Sequence, residues 1–89
     1  MKKIMGLCEG RHDMPVKEYL FSNTLNPLDL DSMFNTAVKA LRDVKELTLY
    51  VTGLTVALVE VIKACAMLNI SLTPYHYDKD SGTYYPQKV

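Results

Sequence analysis

The chain has 89 residues, enough for one small domain, and its ten acidic and ten basic side chains cancel without either sign forming a block. That balance excludes a general duplex-binding surface, because non-specific affinity for nucleic acid rests on clustered Lys and Arg. With 48% apolar and aromatic residues the chain buries enough to fold, yet no run approaches the roughly 20 apolar residues needed to cross a bilayer.

Met1-Lys2-Lys3 imitates a secretory leader only in its two lysines, since the apolar run that follows is short and Glu9, Arg11 and Asp13 come at once. A soluble, cytoplasmic protein is expected. Residues 1–89 are read as a single α/β domain. At this size only about 60–65% of the unfolded chain's surface is buried on folding, which makes a homo-oligomer natural. Cys8 and Cys65 have no metal-type spacing and read as reduced core residues.

Ile4 to Cys8 is a short apolar run that suits a first strand buried on both faces. From residue 10 to residue 27 no period is clear, although Val16 to Phe21 suits a brief edge strand or a turn of helix; so long a connection in so small a domain is more often functional than idle. A first helix is expected from Leu28 to Asp43, opened by Asn26-Pro27 and by Asp29 and Asp31 near its positive end. Its inner stripe reads Leu30, Phe34, Ala37, Val38 and Leu41.

Leu47 to Thr52 is the second strand, apolar enough for the middle of a parallel sheet. Thr55 is placed to cap a second helix that is apolar on nearly every side except at Glu60 and Lys63, so this helix is deeply buried or carries an oligomer contact. Asn69 ends it in the left-handed conformation. Ile70 to Tyr77 and Thr83 to Gln87 form the last two strands, joined by Asp78-Lys79-Asp80-Ser81-Gly82, with Gly82 available for positive φ. The expected fold is a single Rossmann-like α/β domain of order β-α-β-α-β-β. Its sheet is mainly parallel and ends in an antiparallel hairpin at the C-terminal edge.

In such sheets ligands bind outside the carboxyl ends of the parallel strands. Three stretches converge there: Gly10-Arg11-His12-Asp13, Thr52-Gly53-Leu54-Thr55 and Tyr75-His76-Tyr77-Asp78. In the middle one, Gly53 lets backbone N–H groups approach a ligand and the helix start favours an anion, with Thr52 and Thr55 as further donors. A plain strand-to-helix turn with a capping Thr accounts for the same residues. Arg11 offers a bidentate fork to phosphate, and His12 and His76 are the candidates for proton transfer. An exposed polar loop, for Arg11 and His12, and internal hydrogen bonding, for His76, explain them equally.

Tyr75 and Tyr77, with Tyr84 and Tyr85, suit stacking on a base, or simple cross-strand packing. The Cys and His spacings hold no zinc motif and Asp78 with Asp80 lacks the other calcium ligands, so no metal and no cofactor is expected.

The runs Tyr50-Val51-Thr52-Gly53-Leu54-Thr55-Val56-Ala57-Leu58 and Thr73-Pro74-Tyr75-His76-Tyr77-Asp78, with the hairpin Asp80-Ser81-Gly82-Thr83-Tyr84-Tyr85, resemble the small CARF-like CRISPR-associated proteins. These include ring nucleases that bind or cleave cyclic oligoadenylates. The same runs look like short proteins of phages and mobile elements. The resemblance covers the C-terminal half. It implies a nucleotide pocket at Thr52, Gly53, Leu54 and Thr55, commonly built across a homodimer, and a counter-defence role in a bacterial host. It carries over no catalytic residue. The functional expectation is a sponge for a phosphate-rich cyclic nucleotide, with two alternatives: a metal-independent ring nuclease, or a protein-binding inhibitor acting through the Arg11 to Leu25 loop and the second helix.

Overall fold

A computed structural model of the chain describes residues 1–9, 15–22, 26, 28–51 and 54–89. The strands are β1 (Lys2–Cys8), β2 (Tyr19–Phe21), β3 (Glu46–Tyr50), β4 (Ser71–Asp78) and β5 (Thr83–Pro86), and the helices are α1 (Leu30–Leu41) and α2 (Thr55–Leu68). They form one sheet in the order β2-β1-β3-β4-β5, parallel from β2 to β4 and antiparallel between β4 and β5. The expected architecture is present, and the Val16 to Phe21 segment supplies an additional parallel edge strand.

Period-two alternation sorts the strands into two faces. Met5 and Leu7 of β1, Leu47 and Leu49 of β3, Leu72 and Pro74 of β4 and Leu20 of β2 are buried together on one side. Both helices lie on that side. The first links edge strand β2 to β3 and the second links β3 to β4. Both crossovers therefore travel the same way across the sheet, and right-handed connections then put them on one face. There they pack on each other.

In α1, Asp29 accepts a hydrogen bond from the Ser32 N–H at 3.1 Å, so it caps the helix. The helix is thus shorter at both ends than the Leu28 to Asp43 expectation. Its fully buried stripe is Met33, Ala37 and Leu41, with Phe34 and Val38 half-buried. Leu30 is exposed, because it sits at the first turn beyond the edge of the packed face.

Helix α2 corrects another detail. Leu54 occupies its N-cap position and Thr55 is already helical, so Thr55 does not cap. Asn69 does end it at φ 61°, and the Ile70 N–H donates to the Cys65 carbonyl at 2.9 Å across that reversal. Ala57, Val61, Ala64 and Cys65 are buried with Glu60, whose carboxylate takes both oxygens to the Lys63 ammonium at 3.0 and 3.3 Å. Lys63 in turn lies 5.8 Å over the Phe34 ring of α1.

Among the described residues no helix lies on the second sheet face, although Gly6, Cys8 and Phe21, which point to it by register, are buried. In the doubly wound strand order 2-1-3-4-5, the connection from the first strand to the second carries a helix on this side. Here residues 9–18 make that connection, and residues 9 and 15–18 of it hold no helix. Ile4, expected to be buried on both sides of its strand, is 58% exposed for this reason.

A tyrosine-lined sheet face as candidate functional site

Five of the chain's six tyrosines project from the uncovered face: Tyr19, Tyr50, Tyr75, Tyr77 and Tyr84. Register puts them there. Tyr19 pairs with Gly6, Gly6 with Tyr50 and Tyr50 with Tyr75, which makes one row across four strands. Tyr77 pairs with Tyr84 in the next row. Tyr50, Tyr75 and Tyr77 sit toward the carboxyl ends of their parallel strands, the end at which open α/β sheets bind ligands, and Tyr84 faces Tyr77 across the hairpin.

The rings pack in aromatic geometry. Tyr50 and Tyr75 are stacked at 5.1 Å and 24°, and Tyr84 meets Tyr50 edge-on at 4.9 Å and 79°. Tyr77 meets Tyr84 at 5.2 Å and 60°. Offset stacking and edge-to-face contact suit the ring quadrupoles. Burial pushes the Tyr84 hydroxyl's pKa above its ordinary value, and the phenols of Tyr77, Tyr50 and Tyr19 add to the effect. The edge-on contact with Tyr50 of β3 shows that the Tyr84 side chain reaches inward from edge strand β5 across β4. The Tyr84 hydroxyl is enclosed and has no hydrogen-bond partner among the described residues.

The β4–β5 turn holds this arrangement in register. Asp78 accepts from the Asp80 N–H at 3.2 Å and from the Ser81 hydroxyl at 2.8 Å, and both bonds hold its carboxyl below the usual range. The Gly82 N–H closes the turn on the Asp78 carbonyl at 2.9 Å, with Gly82 at φ 68°.

Of the residues singled out in the sequence, Tyr75, Tyr77 and Tyr84 belong to this face, and Tyr85 lies on the other. His76 points to the other side, where Nε2 lies 2.8 Å from Gln87 Oε1 and the ring tilts against Tyr85 at 5.6 Å. His76 is thus separated from the tyrosines by the sheet. Leu54 is half-buried against the core and Thr55 is exposed on the first turn of α2, just past the carboxyl end of β3. Arg11, His12, Thr52 and Gly53 lie outside the described residues. Among the described residues no group of His, Cys, Asp and Glu is placed to hold a metal ion, and no helix is long and apolar enough to cross a membrane.

Tyr50 and Tyr19 were not singled out by motif. Tyr50 carried a signal in parity, since with Leu47 and Leu49 facing the helices it must face the other way, whereas Tyr19, in a three-residue strand, carried none.

Comparison of the chain with protein-family models, with curated proteins and with solved structures finds no match.

Proposed function

We propose that this chain binds a phosphate-bearing nucleotide, of the cyclic kind used as a signal in bacterial immunity, and sequesters it as a counter-defence protein. The observation that carries the reading is the set of tyrosine rings on a sheet face over which the described residues place no helix, with Tyr50, Tyr75 and Tyr77 toward the carboxyl ends of parallel strands. Stacking of a base on an aromatic ring contributes about 1–3 kcal/mol and does not depend on a cationic surface, which agrees with a chain of zero formal charge. The cyclic character and the immune context rest on the resemblance of the C-terminal half to CARF-like proteins.

Calorimetry against a panel of cyclic di-, tri- and higher oligonucleotides tests it. Saturable heat that disappears in Tyr75→Ala supports the reading, and absence of heat across the panel sinks it. Denaturing the complex and identifying what is released separates a sponge, which returns intact ligand, from a ring nuclease, which returns cleaved product.

One observation favours a second reading. Val56, Val59 and Met67 of α2 are 39%, 46% and 59% exposed on one helix face, with the exposed Lys63 between Val59 and Met67, a largely apolar strip suited to a protein partner or a second copy of the chain. Sedimentation of the protein alone and after Val59→Lys tests whether this strip makes the homo-oligomer.

A further inference from the structure

The uncovered face has a second, polar half. Two residues before Tyr50 and Tyr75 on the same strands stand Thr48 and Thr73, paired with each other, and two residues before those stand Glu46 and Ser71, also paired. Beyond β5 the chain continues along β4: the Gln87 N–H donates to the Pro74 carbonyl at 2.9 Å and the Val89 N–H to the Leu72 carbonyl at 3.4 Å. Lys88 is thereby set beside Thr73, on the face that also carries Tyr84 and Pro86. Glu46, Thr48, Ser71, Thr73 and Lys88 line a depression of about 230 Å³. Its origin is steric: short hydroxyl side chains lie between tall tyrosines at one end and the 87–89 segment at one side.

We infer that this depression receives the sugar and phosphate of the nucleotide whose base stacks on the tyrosines, an inference that rests on the nucleotide reading above. Three features support it. The depression begins one same-face step, roughly 6.6 Å, along the strands from Tyr50 and Tyr75, a spacing comparable to that between a base and its own 5′ phosphate. Its floor is made of hydroxyls, which donate to phosphate oxygens or exchange hydrogen bonds with a sugar. Its charges are unequally engaged: Glu46 is paired with Lys2 at 3.4 Å, whereas Lys88 has no ion-pair partner among the described residues. The free ammonium is therefore the group left to meet an anion, and the Glu46 carboxylate is placed to accept from a sugar hydroxyl. The phosphate is read by side chains of β3, β4 and the C-terminal segment, not only by the turn after β3.

The test compares nucleosides with their 5′ monophosphates, using all four common bases, by calorimetry on the wild type, Lys88→Met and Thr48→Val/Thr73→Val. Thermal melts confirm that each variant folds, as expected for exposed or isosteric changes. The wild type should bind the monophosphate about tenfold more tightly than the nucleoside, as one charge-assisted hydrogen bond provides. That preference should vanish in Lys88→Met and shrink in the double valine variant, where nucleoside affinity should also fall with the loss of the hydroxyls that face the sugar. If the preference for monophosphate survives in both variants, the inference fails and the nucleotide reading stands. If nucleosides, monophosphates and the cyclic panel all fail to bind the wild type, both fail together.

Discussion

Tyr50 and Tyr75 lie opposite each other on adjacent parallel strands, with ring centroids 5.1 Å apart and planes 24° from parallel. This contact joins the centre of the sheet to the hairpin that carries Tyr77 and Tyr84, because Tyr84 rests edge-on against the same Tyr50 ring. The aromatic face is therefore part of the fold's stability as well as its candidate site.

Replacing Tyr50 by Ala removes both contacts from a half-buried position. Urea unfolding should show a loss of about 2 kcal/mol, below the 3–5 kcal/mol typical of a fully buried ring. Tyr50→Phe, which keeps the ring, should stay within about 0.5 kcal/mol of the wild type.

Tyr84 makes the opposite case. Its hydroxyl is enclosed without a partner among the described residues, so Tyr84→Phe should be neutral or stabilising by up to about 1 kcal/mol. Its raised pKa also has a sign for stability. The unfolded phenol ionises first as pH rises past about 10, so the stability held below that value is lost as pH climbs toward the folded pKa. Unfolding followed from pH 8 to 11 should fall less steeply in Tyr84→Phe than in the wild type.

The parallel order and the hairpin were legible in the sequence because they rest on local signals: Asn69 at a helix end, Gly82 in a five-residue turn, Leu47 and Leu49 in a strand. The tyrosine cluster was legible only in part. Tyr75 and Tyr77 announced themselves by alternation within one strand, whereas Tyr19 and Tyr50 join them through register between strands distant in sequence, which no local pattern encodes. The open face was hidden for a similar reason. The extra strand β2 spans only Tyr19–Phe21, too few residues to show a period. Asp29 shows the limit at helix ends: as a first-turn acid or as a cap it gives the same sequence signal, and only the bond to Ser32 decides.

Gly82 sits at φ 68° with open space around the position a Cβ would take, the Tyr77 hydroxyl being 4.0 Å away. The cost of Gly82→Ala is therefore conformational, about 1 kcal/mol. Gly82→Asn should cost less, since Asn tolerates this region, and equilibrium unfolding of the two variants checks the order.

Glu60 is buried on α2 and its carboxylate is met by Lys63, which is itself largely exposed. Lys63→Met leaves the buried carboxylate without its ion-pair partner. Solvent screening at Lys63 limits the penalty to about 1 kcal/mol. Adding Glu60→Gln should recover most of it, and a double-mutant cycle by denaturant unfolding measures the coupling.

The most direct test of the nucleotide-binding face is an NMR titration of ring-labelled tyrosines with the cyclic nucleotide panel. Tyr85 lies on the helix-covered side and serves as the internal control. The account predicts saturable shifts at Tyr50, Tyr75, Tyr77 and Tyr84 with Tyr85 unmoved. Shifts confined to Tyr85, or no shift at any tyrosine with every nucleotide tried, would contradict it.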